Sequence, residues 1–237
     1  MSPTESAASS RKLWEPWPAR SRAEVVVYPG QRPHVERTAR RLFGRRLHPW
    51  EYAGLAGAPD DARVELDTFH GQLSLETSDP ISGCYRLFHY VDSSRAGLVV
   101  VKEGAGILRR KMQRKGLGLS IFHRQVENTM ALGVDCIETL AGRRDDENGY
   151  YTWPRFGFDG RLPAEVIENL PPGLEDAVTV LDLMDCEQGR VWWREHGTTI
   201  RVLFDLTEGS RSRMMFDGYV RSKLGGGQKE DLKIGAR

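Results

Sequence analysis

Cysteine is scarce. Cys84, Cys136 and Cys186 are odd in number and widely spaced, which excludes a disulfide framework and a paired-cysteine zinc motif. A reducing cytoplasm is the expected setting. No apolar run approaches the ~18 residues of a membrane span, so none is expected. Met1–Arg11 has no apolar core and does not read as a secretory signal. Charge of one sign is lacking as well. The 34 basic and 33 acidic residues leave a net charge of +1, and no whole-protein field draws the chain to nucleic acid or membrane. The six histidines show no metal-ligand spacing, and no Ser-His or Cys-His pair announces a covalent nucleophile. There is no internal repeat. With 39% hydrophobic and 28% charged residues, the 237-residue chain suits one globular domain with tails.

Glycine and positive charge do concentrate at one point. Gln113 to Gly118 reads Gln-Arg-Lys-Gly-Leu-Gly, between a β-like run ending at Met112 and a helical pattern over Leu119–Leu132. The first turn of a helix offers N–H groups and a positive dipole end, which suit a phosphate or pyrophosphate. Gly116 and Gly118 let a ligand approach the main chain. Arg110, Lys111, Arg114 and Lys115 add charge there. The stretch is not a Walker loop, because Leu-Ser follows Gly118, and not a dinucleotide fingerprint, because position 121 is Ile. A tight turn without a ligand is the plain alternative.

The remaining pattern is α+β. Residues 1–22 read as a flexible arm carrying Trp14 and Trp17, and 225–237 as a disordered Gly/Lys-rich tail. A short strand over Ala23–Tyr28 precedes helices over His34–Phe43, stopped by Gly44, and Pro49–Leu55. Alternation predicts strands between Asp60 and Met112, with a hairpin loop at His70-Gly71-Gln72 and a turn at Ser78-Asp79-Pro80. Within that region Cys84–Val91 and Leu98–Lys102 read as strands. Glu103–Gly106 reads as a loop and Ile107–Met112 as the strand entering the glycine turn. After the helix, Gly133 is a stop and Asp135–Leu140 a strand, with Ile137 and Leu140 as core. Arg143–Asn148 is expected to be a charged loop and Gly149–Phe156 an aromatic segment that Pro154 turns aside from helix. Val178–His196, with Trp192 among its apolar set, reads as one helix interrupted by Gly189. Ile200–Leu206 reads as a strand and Ser210–Leu224 as a last helix. Residues 23–224 are taken as a single domain.

Strand, Gln113-x-x-Gly116-x-Gly118, a helix of about 15 residues, then Gly133-Val134-x-x-Ile137 as a strand: this order resembles the core of the GNAT-type N-acetyltransferases. Asn148 and Trp153-Pro-Arg-Phe-Gly157-Phe158 look like that family's Asn…Tyr-x-x-x-Gly-Phe segment, and the likeness covers roughly residues 24–160. It implies a mixed, mostly antiparallel sheet flanked by helices; residues 175–224, read from their pattern as a C-terminal helix–strand–helix extension, lie beyond the likeness. It further implies acetyl-CoA as acyl donor. Gln113, Arg114, Lys115, Gly116, Leu117 and Gly118 would bind the pyrophosphate, and Leu108, Asn148 and Trp153 would line the same cofactor. Pantetheine would thread between two splayed parallel strands, and an amine would attack the thioester directly. No metal is implied.

One departure bears on the chemistry. The family's frequent general acid is a tyrosine where this chain has Trp153, which gives no proton at neutral pH. Tyr150 and Tyr151 are the candidates for that role, against a plain packing role. Glu138, then Glu103, are candidates to take the proton of the attacking ammonium, against a partly buried ion-paired glutamate. The acceptor is an amine, small-molecule or peptide. A catalytically inactive GNAT-like binding or scaffold module is the alternative. A nucleic-acid module using Arg37, Arg40, Arg41, Arg45 and Arg46 is a third reading, opposed by the near-neutral charge and the absence of a known motif. Neither a membrane nor a nucleic-acid partner is expected. Trp192-Trp193 and the last helix would cap the acceptor site, form a homodimer surface or lie in the core.

Overall fold

β-Branched residues open the fold. Strand β1 (Glu24–Val27) leads through helices α1 (Arg32–Phe43) and α2 (Pro49–Leu55) into a meander of β2 (Arg63–Phe69), β3 (Gln72–Ser78), β4 (Tyr85–Ser93) and β5 (Val99–Leu108). Helix α3 (Leu117–Ala131), strand β6 (Cys136–Ala141), a two-stranded ribbon of β7 (Arg143–Arg144) and β8 (Glu147–Asn148), and helix α4 (Gly149–Arg155) follow. Helices α5 (Ala164–Ile167), α6 (Val180–Met184) and α7 (Glu187–His196), strand β9 (Ile200–Asp205) and helix α8 (Arg211–Leu224) complete it. The computed structural model describes residues 18–94, 99–108, 116–144 and 147–224. Trp14, Trp17 and the tail 225–237 lie outside the described residues.

The architecture is α+β: a seven-stranded mixed sheet in the order β1-β2-β3-β4-β5-β6-β9, flanked by helices. The pairs β1–β2 and β5–β6 are parallel, and the other four are antiparallel. Register sets apolar residues side by side across the sheet. Leu66 faces Leu75, Leu73 faces Val91, Val91 faces Val101, Val101 faces Ile137 and Ile137 faces Phe204. All of these residues are buried. From the helix layer Phe122 of α3 reaches Trp153, Phe156, Phe158, Phe204 and Phe216, with ring centroids 5.0–5.8 Å apart. Each such pair contributes about 0.5–1.5 kcal/mol beyond its area. The opposite face is mixed: Glu65, Glu76, Tyr90, Lys102 and Glu138 are partly exposed, and Leu140 is 57% exposed.

Several expectations change. Leu140 is not core, because strict alternation turns Ile137, Thr139 and Ala141 inward and Leu140 outward. Glu103–Gly106 is not a loop; β5 is continuous through it, with a register shift against β4. The hairpin loop is the pair His70-Gly71, both at positive φ (49° and 79°), the geometry a tight two-residue turn requires. Of the expected loop Arg143–Asn148, the described residues Arg143-Arg144 and Glu147-Asn148 pair as the small ribbon. Val178–His196 is two helices. The break falls at Asp185-Cys186, where the Cys186 sulfur caps α7 by accepting from the Gly189 N–H. Gly189 does not interrupt α7; it sits inside it because a Cβ there would overlap the Leu183 carbonyl. The fully buried indole is Trp193, whereas Trp192 is half-buried.

Pro154 does not prevent α4. A proline has no N–H for the carbonyl four residues back, here that of Tyr150. The Trp193 Nε1–H donates to that carbonyl instead, at 2.8 Å. A side chain from α7 thus satisfies the acceptor that the proline leaves.

The end of the N-terminal arm is held on the body. Arg124, fully buried on α3, donates to the Pro18 carbonyl (2.9 Å) and the Ala58 carbonyl (2.6 Å) and pairs with Asp60 (2.9 Å). Asn128 donates to the Ala19 carbonyl, and the Arg20 guanidinium lies 4.8 Å above the Trp50 ring.

At the other end, Arg211 of α8 forks onto Asp182 (2.7 Å) and Asp185 (2.6 Å). Burial raises the Asp182 pKa. The Thr179 N–H, Arg211 and the Val178 N–H more than offset this, leaving it below the ordinary 3.8. A depressed folded-state pKa gives stability that is present above the unfolded value and is lost as pH falls through the folded one. The melting temperature should therefore decline below about pH 4 in the native chain. In Asp182→Asn it should start lower and show a shallower acid slope. Parallel slopes in a pH series of melts would exclude this clamp from acid sensitivity.

Candidate functional site

The sheet opens between β5 and β6. These parallel neighbours pair over Val100↔Cys136, Val101↔Ile137 and Lys102↔Glu138, and no further pair joins them among the described residues. Beyond Lys102, β5 stays with β4 through Tyr85↔Leu108, while β6 stays with β9 through Ala141↔Ile200. An irregularity in β5 lies next to the parting. Between His89↔Glu103 and Leu87↔Gly106, β5 takes three steps against two on β4. That extra residue is a bulge, which bends its strand and increases local twist.

Leu108 closes β5 on one side of the opening, and α3 begins shortly after it in the chain. Gly116 is the N-cap of α3 at φ 83°, a left-handed conformation that glycine adopts without strain. Its carbonyl accepts the Ser120 N–H, so the amides of Leu117, Gly118 and Leu119 fall in the turn that has no intrahelical acceptor. Among the described residues a Cβ added to Gly118 would meet nothing within 4 Å, so none of them forces glycine there. Gln113, Arg114 and Lys115, with Arg110 and Lys111, lie outside the described residues.

Other predicted site residues lie on or beside α4, which packs against β6. Tyr150 follows the end of β6, where its N–H donates to the Gly142 carbonyl. Its hydroxyl donates to the Arg194 carbonyl at 2.7 Å, and the Arg143 guanidinium lies 4.9 Å above its ring. Both contacts tie Tyr150 to its neighbours in the fold. Tyr151 is half-buried, with Arg155 5.4 Å above its ring. Trp153 stands edge-on to Phe122, one turn into α3, at 5.8 Å and to Phe158 at 4.9 Å. Its ring is partly buried and packs against the aromatic core. Asn148 is exposed, and its Oδ1 accepts from the Thr152 hydroxyl.

Glu138 stands apart from this group. It closes the last β5–β6 pair, on the face away from Ile137 and the aromatic core. Two residues back, Cys136 is buried, and its thiol is pushed up to about 12 by burial first, then by the charges of Glu138, Asp135 and Asp205. At neutral pH it offers no thiolate nucleophile.

The sequence reading missed Arg143. Besides covering Tyr150, it donates to the Gly197 carbonyl and to the Glu195 carbonyl (2.8 Å), binding the C-terminal end of α7. Its partners lie more than 50 residues away, and a lone arginine in a charged run carries no local signal of them. Among the described residues no group of His, Cys, Asp and Glu could hold a metal ion, and no helix is long and apolar enough to cross a membrane.

No protein-family model and no curated protein sequence matches the chain. Among solved structures it is similar to a GNAT family N-acetyltransferase (YhbS) from Escherichia coli in complex with CoA, at 15% sequence identity over 76% of this chain and 79% of that chain, with a TM-score of 0.33.

Proposed function

We propose that the chain is an N-acyltransferase that moves an acetyl group from acetyl-CoA to an amine. The observation that carries this reading is the parting of β5 and β6 at a bulge, followed by a helix that starts on a left-handed glycine. A parted parallel pair leaves backbone N–H and C=O groups facing a gap. An extended pantetheine arm suits such a gap. The first amides of α3 receive the pyrophosphate, each charge-assisted bond contributing roughly 1.5–3 kcal/mol. The space that the described residues leave beside Gly118 suits a ligand in contact with the main chain.

The acceptor amine first loses a proton, because an alkyl ammonium has a pKa of about 10.4. Glu138, at the last paired position before the gap, is the proposed proton acceptor, directly or through water. The amine nitrogen then forms the bond to the thioester carbonyl carbon. The developing oxyanion is met by a main-chain N–H at the gap. The C–S bond breaks, and the CoA sulfur leaves as thiolate or takes a proton. With the Tyr150 hydroxyl bound to Arg194, Tyr151 is the tyrosine proposed to supply that proton. A second reading, a binding module without catalysis, is favoured by the packing of Trp153 against the aromatic core where the family's acid would stand.

Release of free thiol from acetyl-CoA over a panel of amines separates the two readings. Tyr151→Phe should lower kcat by about 100-fold or more with KM little changed. Tyr150→Phe should mainly lower the melting temperature. No thiol release with any amine would leave only the binding module, and equal rates in both variants would remove tyrosine from the mechanism.

A further inference from the structure

Helix α7 places two adjacent tryptophans in different surroundings. Trp193 is in the core. Trp192, about 100° further round the helix, lines a concavity of about 620 Å³ between α7 and α5. Its indole leans on the His196 imidazole, centroids 5.1 Å apart and planes at 33°. Val166 gives apolar area on the α5 side, and Asn169 and Thr198 bring polar groups. Glu165 supplies a carboxylate, and no lysine or arginine lines the concavity among the described residues. The volume is in the range of small-ligand sites. An aromatic face attracts a cation through its quadrupole, and a carboxylate adds the counter-charge. An anion would meet both unfavourably.

We propose that this concavity binds an organic ammonium group, with Trp192 as its face and Glu165 as its counter-charge. Its place in the fold links it to the acyl-transfer site. Thr198 is followed by Thr199, whose hydroxyl accepts the Arg143 N–H at 2.9 Å just past the end of β6. That is the end of the sheet toward which β5 and β6 part. Helix α7 is also bound to α4 through Trp193 and Tyr150. The concavity is therefore a subsite for an acceptor that carries a second, cationic nitrogen besides the amine to be acylated. That assignment rests on the acyltransferase reading, whereas the ammonium site itself does not.

Choline is the probe, because its quaternary nitrogen has no N–H to acylate. Calorimetry on the full chain should show saturable binding, with the neutral tert-butyl isostere at least about tenfold weaker. Glu165→Gln, at an exposed position, should fold normally and lose about tenfold in affinity. Trp192→Phe should keep most of the binding and Trp192→Leu should lose it. No binding by the native chain, or equal affinity for choline and the isostere, overturns the proposal. So does affinity unchanged in both Glu165→Gln and Trp192→Leu. The same samples are titrated with acetyl-CoA. Acetyl-CoA binding without choline binding overturns the ammonium site alone. Choline binding without acetyl-CoA binding supports the ammonium site and overturns acyl transfer.

Discussion

Gly118→Asp is expected to abolish acetyl-CoA binding while leaving the melting temperature unchanged or slightly raised. The two effects have opposite signs for one reason. Gly118 is the second residue of α3. A carboxylate in the first turn of a helix interacts favourably with the dipole, typically by about 0.3–1 kcal/mol. Among the described residues a Cβ there meets nothing within 4 Å, and replacing glycine in a helix removes its entropic cost. A pyrophosphate at the same amides would meet a like charge. Two unit charges ~4 Å apart near a protein surface repel by roughly 4 kcal/mol before salt screening. A loss of affinity of about 100-fold or more follows. Gly116→Asp is a poorer test, because φ 83° strains any side chain there and mixes unfolding with lost binding. Calorimetry and thermal melting of Gly118→Asp together decide the matter. Wild-type affinity in this variant would remove the start of α3 from the binding site.

Local chemistry made much of the fold legible before any coordinates. Pro49 with the Glu51 carboxylate accepting from the His48 N–H gives α2 its start. Gly44 in the left-handed conformation stops α1. The start of α3 was readable from Gly116, because a left-handed N-cap asks for glycine. What was not legible depends on partners distant in sequence. The bulge in β5 reads locally as a loop, because Glu103-Gly104-Ala105-Gly106 has loop composition; only its register with β4 makes it a strand. Leu140 looks like core from its type alone, yet its neighbour Ala141 is the inward residue. The α4 helix contains a proline that argues against helix until Trp193, on another element, accepts the consequence. Tyr150 and Tyr151 were indistinguishable in sequence, and the Arg194 carbonyl separates them.

The second large effect concerns the C-terminal quarter. A fragment ending at Gly173 is expected to lack a cooperative thermal transition, whereas a chain ending at Leu224 should melt like the full one. Removing residues 174–237 deletes β9, the antiparallel partner of β6 along its whole length from Cys136↔Asp205 to Ala141↔Ile200. Strand β6 would keep only its three pairs to β5 and become a bare edge. The helix layer loses Leu181, Leu183 and Trp193, and the sheet loses Val202 and Phe204, all buried at 1% exposure or less. Phe122 and Phe158 would face water where Phe204 and Phe216 now lie 5.0–5.4 Å from them. Burying one such side chain is worth about 1.5–3 kcal/mol, so five together exceed the lower end of the 5–15 kcal/mol that holds a typical domain folded. The carbonyl of Tyr150 would also lose the Trp193 N–H that replaces the missing proline donor. Full-length Phe204→Ala, expected to cost about 3–5 kcal/mol, checks the same contact without removing the strand. A cooperative melt for 1–173 at a temperature near that of the full chain would show that β1 to α4 hold their core without β9, and would place the domain boundary at residue 173.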